Sequence, residues 1–109
     1  MNPLETPTGA LLVGWSTLPS REDALRLARN LVGEGLAACA QVGGPILSVY
    51  AWEGRLNEDE EWRLTLKFMS DKSGAVETRL RALHPYATPQ WIVVRAEHVG
   101  ADYLAWAAG

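Results

Sequence analysis

A second cysteine is missing from this chain of 109 residues, so Cys39 cannot close an internal disulfide. The fold then needs no oxidising compartment, and a reducing cytoplasm is the expected setting. Excess positive charge is also absent. Ten Lys and Arg stand against 13 Asp and Glu, a net charge of −3, which removes the basic footprint of a non-specific nucleic-acid binder. No apolar run reaches bilayer length. The longest early one, Ala10 to Trp15, follows Glu5 rather than a basic stretch, so neither membrane insertion nor a secretory signal is expected. Catalytic signatures are lacking as well: there is no Gly-x-Ser-x-Gly elbow, Walker loop, Gly-x-Gly-x-x-Gly or His-Glu-x-x-His, and a non-enzyme is expected.

Tryptophan, in contrast, is plentiful. Five in so short a chain exceed what a small core can enclose, which points to aromatic surface buried by something else. The length fits one domain. Residues 1–9, with two prolines, read as a flexible arm, and residues 10–109 as a single domain with a radius of gyration of about 13 Å if compact.

Along that domain, Ala10 to Ser16 reads as a buried strand closed by Thr17-Leu18-Pro19-Ser20. Ser20 and Asp23 resemble a capping box, behind which Ala24, Leu27, Ala28, Leu31 and Val32 share one helical face. Gly33 and Gly35 end that helix, and Leu36 to Val42 reads as a second strand. Gly43-Gly44-Pro45 breaks it with a bulge or bend. Leu47 to Arg55 and Glu60 to Phe68 read as two long strands joined by a turn at Leu56-Asn57-Glu58-Asp59. In the second of these, Trp62, Leu64, Leu66 and Phe68 alternate with polar residues, as in a half-buried antiparallel strand. Ser70 or Asp71 can cap a second helix carrying Val76, Leu80 and Leu83 on one stripe and ending at His84-Pro85. Trp91 to Val94 is a β-branched strand, and Ala101 to Ala107 a short terminal helix. The class is α+β: a ferredoxin-like split βαβ, ordered β-α-β-β-α-β, with a helical tail.

The two hairpin strands outrun a first helix of about 15 residues, roughly 22 Å long. An overhanging hairpin with Tyr50, Trp52 and Trp62 leaves aromatic surface and strand edges open unless a partner covers them, so a closed homo-oligomer is expected.

Soft-metal donors are few: His84, His98 and Cys39, with Met1 and Met69 as weak thioethers. His84 is a metal-ligand candidate whose alternative role is to satisfy a helix C-terminus. Cys39 is either a small buried hydrophobe or a thiol beside Lys67 open to soft metals. The run Glu58-Asp59-Glu60-Glu61 lacks the spacing of a calcium loop and reads as a solvated turn.

The strings Leu36-Ala37-Ala38-Cys39-Ala40-Gln41, Ser48-Val49-Tyr50-Ala51-Trp52-Glu53-Gly54-Arg55 and His84-Pro85-Tyr86-Ala87-Thr88-Pro89, with Asp102-Tyr103-Leu104-Ala105-Trp106, resemble the CutA family of divalent-cation tolerance proteins. The resemblance runs from about Ala10 onward. It implies a tight PII-like homotrimer built by inter-subunit strand pairing, a role in copper or other divalent-cation tolerance, and action through protein partners. An inter-subunit cleft formed by Trp52, Glu53, Lys67, Tyr86 and Trp106 belongs to the same expectation. Two departures stand out. Where the family commonly has Pro-Glu-Ile, this chain has Pro89-Gln90-Trp91, and of a copper ligand set resembling the positions of Ser16, Leu83 and His84 only the histidine is present. Two alternatives accompany this reading: a PII-like sensor binding an anionic metabolite through Arg55, Lys67 and Arg95, and an enzyme using Cys39 with Lys67.

Overall fold

Four strands and two covering helices account for the core of the computed structural model, which describes residues 9–109. The expected arm lies almost wholly outside the described residues. The elements run β1 (Leu11–Leu18), α1 (Arg21–Gly33), β2 (Cys39–Trp52), β3 (Arg55–Met69), a single 3-10 turn (Ser70–Lys72), α2 (Ser73–Leu83), β4 (Ile92–Arg95) and α3 (Ala101–Ala108). The sheet order is β2-β3-β1-β4, and every neighbouring pair is antiparallel. This is the ferredoxin-like arrangement.

Local chemistry explains most boundaries. The Ser20 hydroxyl accepts from the Asp23 backbone N–H (3.1 Å) and donates to the Asp23 carboxylate (3.0 Å), so the two lock the start of α1. At its other end Gly35 takes φ +75°, and bonds from Leu36 N–H to the Leu31 carbonyl and from Gly35 N–H to the Val32 carbonyl close a Schellman motif. Ala24, Leu27, Ala28 and Leu31 are buried as their spacing predicts, whereas Val32 has drifted off the stripe to the surface. Leu64, Leu66 and Phe68 of β3 meet Leu18, Leu27, Leu31, Val76 and Leu80 in a core from which water is fully excluded. Each such side chain contributes roughly 1.5–3 kcal/mol of burial.

Several expectations are corrected. The hairpin turn is Glu53-Gly54, not Leu56–Asp59: Trp52 pairs with Arg55 and the two residues between take φ +52° and +75°, the left-handed pair of a type I′ loop. Asn57 and its acidic neighbours therefore lie within β3, and Glu58-Asp59-Glu60-Glu61 is strand, not turn. Consecutive carboxylates then point to opposite faces and cannot wrap one ion together. The proposed break at Gly43-Gly44-Pro45 is a one-residue bulge inside a continuous β2, because Gly43 pairs with Arg63 and Ile46 with Glu61. Neither Ser70 nor Asp71 caps α2. Ser70 instead holds the sheet corner, its hydroxyl accepting from Ala10 N–H (3.1 Å) while its own N–H donates to the Ala10 carbonyl (2.8 Å).

The overhang is real. β2 and β3, at 14 and 15 residues, extend past the 13-residue α1, and the molecule measures 55 × 25 × 22 Å. Its radius of gyration is 15.5 Å, above the compact value expected, because the hairpin projects as an arm.

Candidate functional site

The bulge decides what the arm presents. Before it, Ala40 and Val42 lie opposite Leu66 and Leu64 on the helix-covered face; after it, Ser48 lies opposite Asp59 and Tyr50 opposite Asn57, on the other face. A single inserted residue thus inverts the side-chain parity of β2. It places Tyr50 and Trp52 on the same side of the sheet as Asp59 and Glu61, and the Tyr50 hydroxyl hydrogen-bonds the Asp59 carboxylate.

The second wall comes from the segment after α2. β1 ends at Leu18, opposite Trp62, so β3 has no neighbour on that side from Glu61 outward. Residues 85–90 pass this gap, and the Tyr86 hydroxyl donates to Glu61 Oε2 at 2.9 Å. Between arm and loop lies a cleft of about 840 Å³ lined by Thr17, Tyr50, Trp52, Glu61, Tyr86 and their neighbours. Glu61 is only 7% exposed. Burial first, and then the Glu61 hydrogen bond, push the Tyr86 phenol well above its ordinary value. Tyr50 is raised too, chiefly by its bond to Asp59.

His84 anchors this loop. Its Nδ1 accepts from the Tyr86 backbone N–H (3.1 Å), which leaves the proton on Nε2, facing the Thr17 carbonyl (3.0 Å) and the Ser16 hydroxyl (3.0 Å). The ring is buried, and desolvation holds its pKa below the usual histidine value despite the opposing hydrogen bond to Thr17. As placed, neither nitrogen has a free lone pair. The helix-terminal role goes elsewhere: the Arg26 guanidinium of α1 donates to the Leu83 carbonyl at 3.1 Å. Trp91 fixes the far end of the loop by stacking on Phe68, with ring centroids 6.0 Å apart. Its ring lies over Gly14, where a Cβ would come within 2.4 Å of the indole.

Of the residues expected to form one cleft, a single chain brings together Trp52 and Tyr86 only. Glu53 sits in the hairpin turn. Lys67 lies at the far end of β3, its ammonium 5.4 Å from the Tyr103 ring centroid, and Tyr103 packs on Trp106 at 5.4 Å. Arg55, Lys67 and Arg95 do not converge: Arg55 adjoins the turn, roughly 40 Å along β3 from Lys67, and Arg95 lies on the opposite sheet face from Lys67. Cys39 pairs in register with Lys67 on the edge strand β2 and is half-buried. Among the described residues no three His, Cys, Asp or Glu side chains gather as a metal site would require. The described residues of one chain therefore do not by themselves assemble a transition-metal site. Sequence reasoning passed over Glu61 and Asp59 as a solvated run; the signal for them was their odd-numbered place in β3, the face opposite the Leu64-Leu66-Phe68 stripe.

Comparison with known proteins agrees with the motifs. A family model described as CutA1 divalent ion tolerance protein matches residues 12–109. The chain belongs to the CutA1 family. It is 34% identical over 96 residues to the divalent-cation tolerance protein CutA of Thermotoga maritima, covering 88% of this chain and 94% of that one. In structure it is similar to CutA1 of Ehrlichia chaffeensis (TM-score 0.88, 29% identity, 93% and 94% of the two chains covered) and of Oryza sativa (0.88, 33%, 92% of each). The fold and the β2–β3 arm are thus family architecture, and the relatives' names connect that family with divalent-cation tolerance.

Proposed function

We propose that this chain serves divalent-cation tolerance, copper included, as a non-enzymatic cytoplasmic homotrimer that presents binding surfaces to partner proteins. The observation that carries this reading is the overhanging arm. Leu47, Val49, Trp52 and Leu56 stand 55–77% exposed on it, and Ile92 and Val94 stand 53% and 43% exposed on β4. Strands β2 and β4 are also the two unpaired sheet edges. Apolar edges of this length are aggregation-prone unless covered. Pairing the β2 edge of one copy with the β4 edge of the next is a heterologous contact, which closes into a ring when the rotation between copies allows it. Such a ring would also bring Lys67, Tyr103 and Trp106 of one copy toward the arm of another, the form in which the expected inter-subunit cleft can assemble. The lone, half-buried Cys39 suits a reducing compartment.

Copper held at His84 is not part of the proposal, because the ring is already spent on Thr17, Ser16 and Tyr86. Light scattering at micromolar concentration should return three times the 11.9 kDa chain mass, and a monomer would overturn the assembly. Calorimetric titration with copper(II) should give equal isotherms for the wild type and His84→Ala. Sub-micromolar binding, about −8 kcal/mol or stronger, that vanishes in the variant would make His84 a ligand after all.

A further inference from the structure

His84 holds the turn after α2 in a way that only one charge state of its ring allows. We propose that this turn is an acid-operated latch: when the His84 ring takes up a second proton, the backbone at Tyr86 is released from it and the loop that follows loosens. The three bonds of the latch lie within one chain, and the ring is already buried there, so a neighbouring copy over the arm leaves them in place. The inference goes beyond the proposed role and needs neither a bound metal nor the trimer.

The Thr17 carbonyl can only accept a hydrogen bond, and the Tyr86 backbone N–H can only donate one. The ring therefore fits between them in a single form, neutral with its hydrogen on Nε2. A proton added at Nδ1 faces the Tyr86 N–H across 3.1 Å, so two donors oppose each other where a hydrogen bond stood. The Nε2 side meets no such conflict. It keeps its donor, the Ser16 hydroxyl can accept in either state, and a charged donor bonds the Thr17 carbonyl more strongly than a neutral one. The ring thus stays on β1 while the Tyr86 contact gives way. Only Pro85 separates the two residues, so a shift of the Tyr86 backbone carries its side chain, whose hydroxyl donates to Glu61 and whose ring centroid lies 5.1 Å from the imidazole.

The surroundings set the range in which the latch works. Burial disfavours the charged ring and outweighs every other influence on it, so His84 titrates below the ordinary histidine value of about 6.5. α1 presents Asp23, which favours the charged ring, and Arg26, which opposes it; β3 presents Glu61, which favours it. β1 contributes the uncharged Ser16 and Thr17, and the loop contributes the Tyr86 phenol, kept protonated by its own burial. Asp23 is engaged by Ser20 and Arg26, and Glu61 by Tyr86, so both act on the ring from a distance. The latch is therefore shut at neutral pH and opens in acid.

The test is NMR on the full chain in its native assembly, titrated from about pH 7.5 to about pH 4, with the His84 ring nitrogens and the backbone amides followed together. The chain has two histidines, and His98→Gln assigns the ring signals. The Tyr86 amide should lose its hydrogen-bonded shift at the midpoint where the His84 ring charges. Its exchange, corrected for the ordinary pH dependence, should rise at least about tenfold, the loss of one hydrogen bond. Amides of the core residues Leu27, Leu31 and Leu64 should hold through that midpoint. His84→Asn supplies an acceptor for the N–H two residues on that does not titrate, and should keep the Tyr86 amide protected across the range. A ring that charges without disturbing Tyr86, a ring that stays neutral throughout, core amides lost at the same midpoint, or the same Tyr86 transition in folded His84→Asn would overturn the proposal.

Discussion

Gly14→Ala should destabilise the protein even though a β-strand ordinarily gains from losing a glycine. In the unfolded chain, alanine has less freedom to lose, which favours the variant by about 0.4–1 kcal/mol where the native backbone suits it. At Gly14 that gain meets an obstacle. The new Cβ would lie 2.4 Å from Trp91 Cη2, 2.9 Å from Cζ3 and 3.1 Å from Cζ2, against a comfortable carbon separation of about 3.5–4.0 Å. The indole must retreat by roughly 1 Å, and behind it is the fully buried Phe68 on which it stacks. Overpacking of this kind costs about 1–3 kcal/mol, so a net loss of about 1–2 kcal/mol remains. For a chain of this size that is a fall in melting temperature of about 4–16 °C, read by calorimetry at one protein concentration because assembly makes the midpoint concentration-dependent. Trp91→Leu removes the obstacle, and Gly14→Ala placed on that background should be neutral or slightly stabilising. A coupling energy near zero across the double-mutant cycle, or a Gly14→Ala protein as stable as the wild type, would refute the reasoning. Because Trp91 pins the loop that carries Tyr86, the single variant should also loosen the cleft, seen as faster amide exchange at Tyr86, Ala87, Thr88 and Gln90.

Two further outcomes are expected. Since burial holds the folded pKa of His84 below its unfolded value of about 6.5, the unfolded state binds the extra proton first. Its stabilising contribution is therefore complete above about pH 6.5 and lost as pH falls toward the folded pKa, at up to about 1.4 kcal/mol per pH unit. Urea unfolding at pH 7 and pH 5 should show a larger drop for the wild type than for His84→Gln, and equal drops would refute this. At the hairpin turn, Glu53 pays for a left-handed φ of +52°, so Glu53→Asn should raise stability by about 0.5 kcal/mol and Glu53→Val lower it by more than about 1 kcal/mol; denaturant midpoints that rank the other way would contradict the type I′ assignment.

Element order and core were legible because they rest on periodicity. The α1 stripe of Ala24, Leu27, Ala28 and Leu31 and the β3 stripe of Leu64, Leu66 and Phe68 each repeat with a period that only one secondary structure satisfies. The turn was misplaced because Asn57 and Asp59 carry strong turn preference, while Glu53-Gly54 needs only two residues and one glycine to reverse the chain. The site was harder to read. His84 meets Ser16 and Thr17 across 68 and 67 residues, and no local pattern predicts that encounter. The bulge was visible as Gly43-Gly44-Pro45, but its consequence depends on the strand continuing beyond it, and a broken strand would have transmitted no change of parity to Tyr50 and Trp52.

The departure at Gln90-Trp91 shows how such gaps close once packing is known. Read along the chain, it removes a carboxylate from a familiar motif and leaves a bulky indole with no assigned place. In the fold, that indole has a socket made by the missing side chain of Gly14 and the flat face of Phe68. The loop it anchors carries no carboxylate, so the negative charge of the cleft comes from β3 rather than from the loop. Glu61 and Asp59 then sit on a rigid strand whose register is set on both sides, by β2 and, up to Trp62, by β1. A site whose charge is held by the sheet and whose aromatic walls are held by a bulge and a stacked tryptophan is preorganised before any ligand arrives, and a preorganised site binds with less ordering to offset.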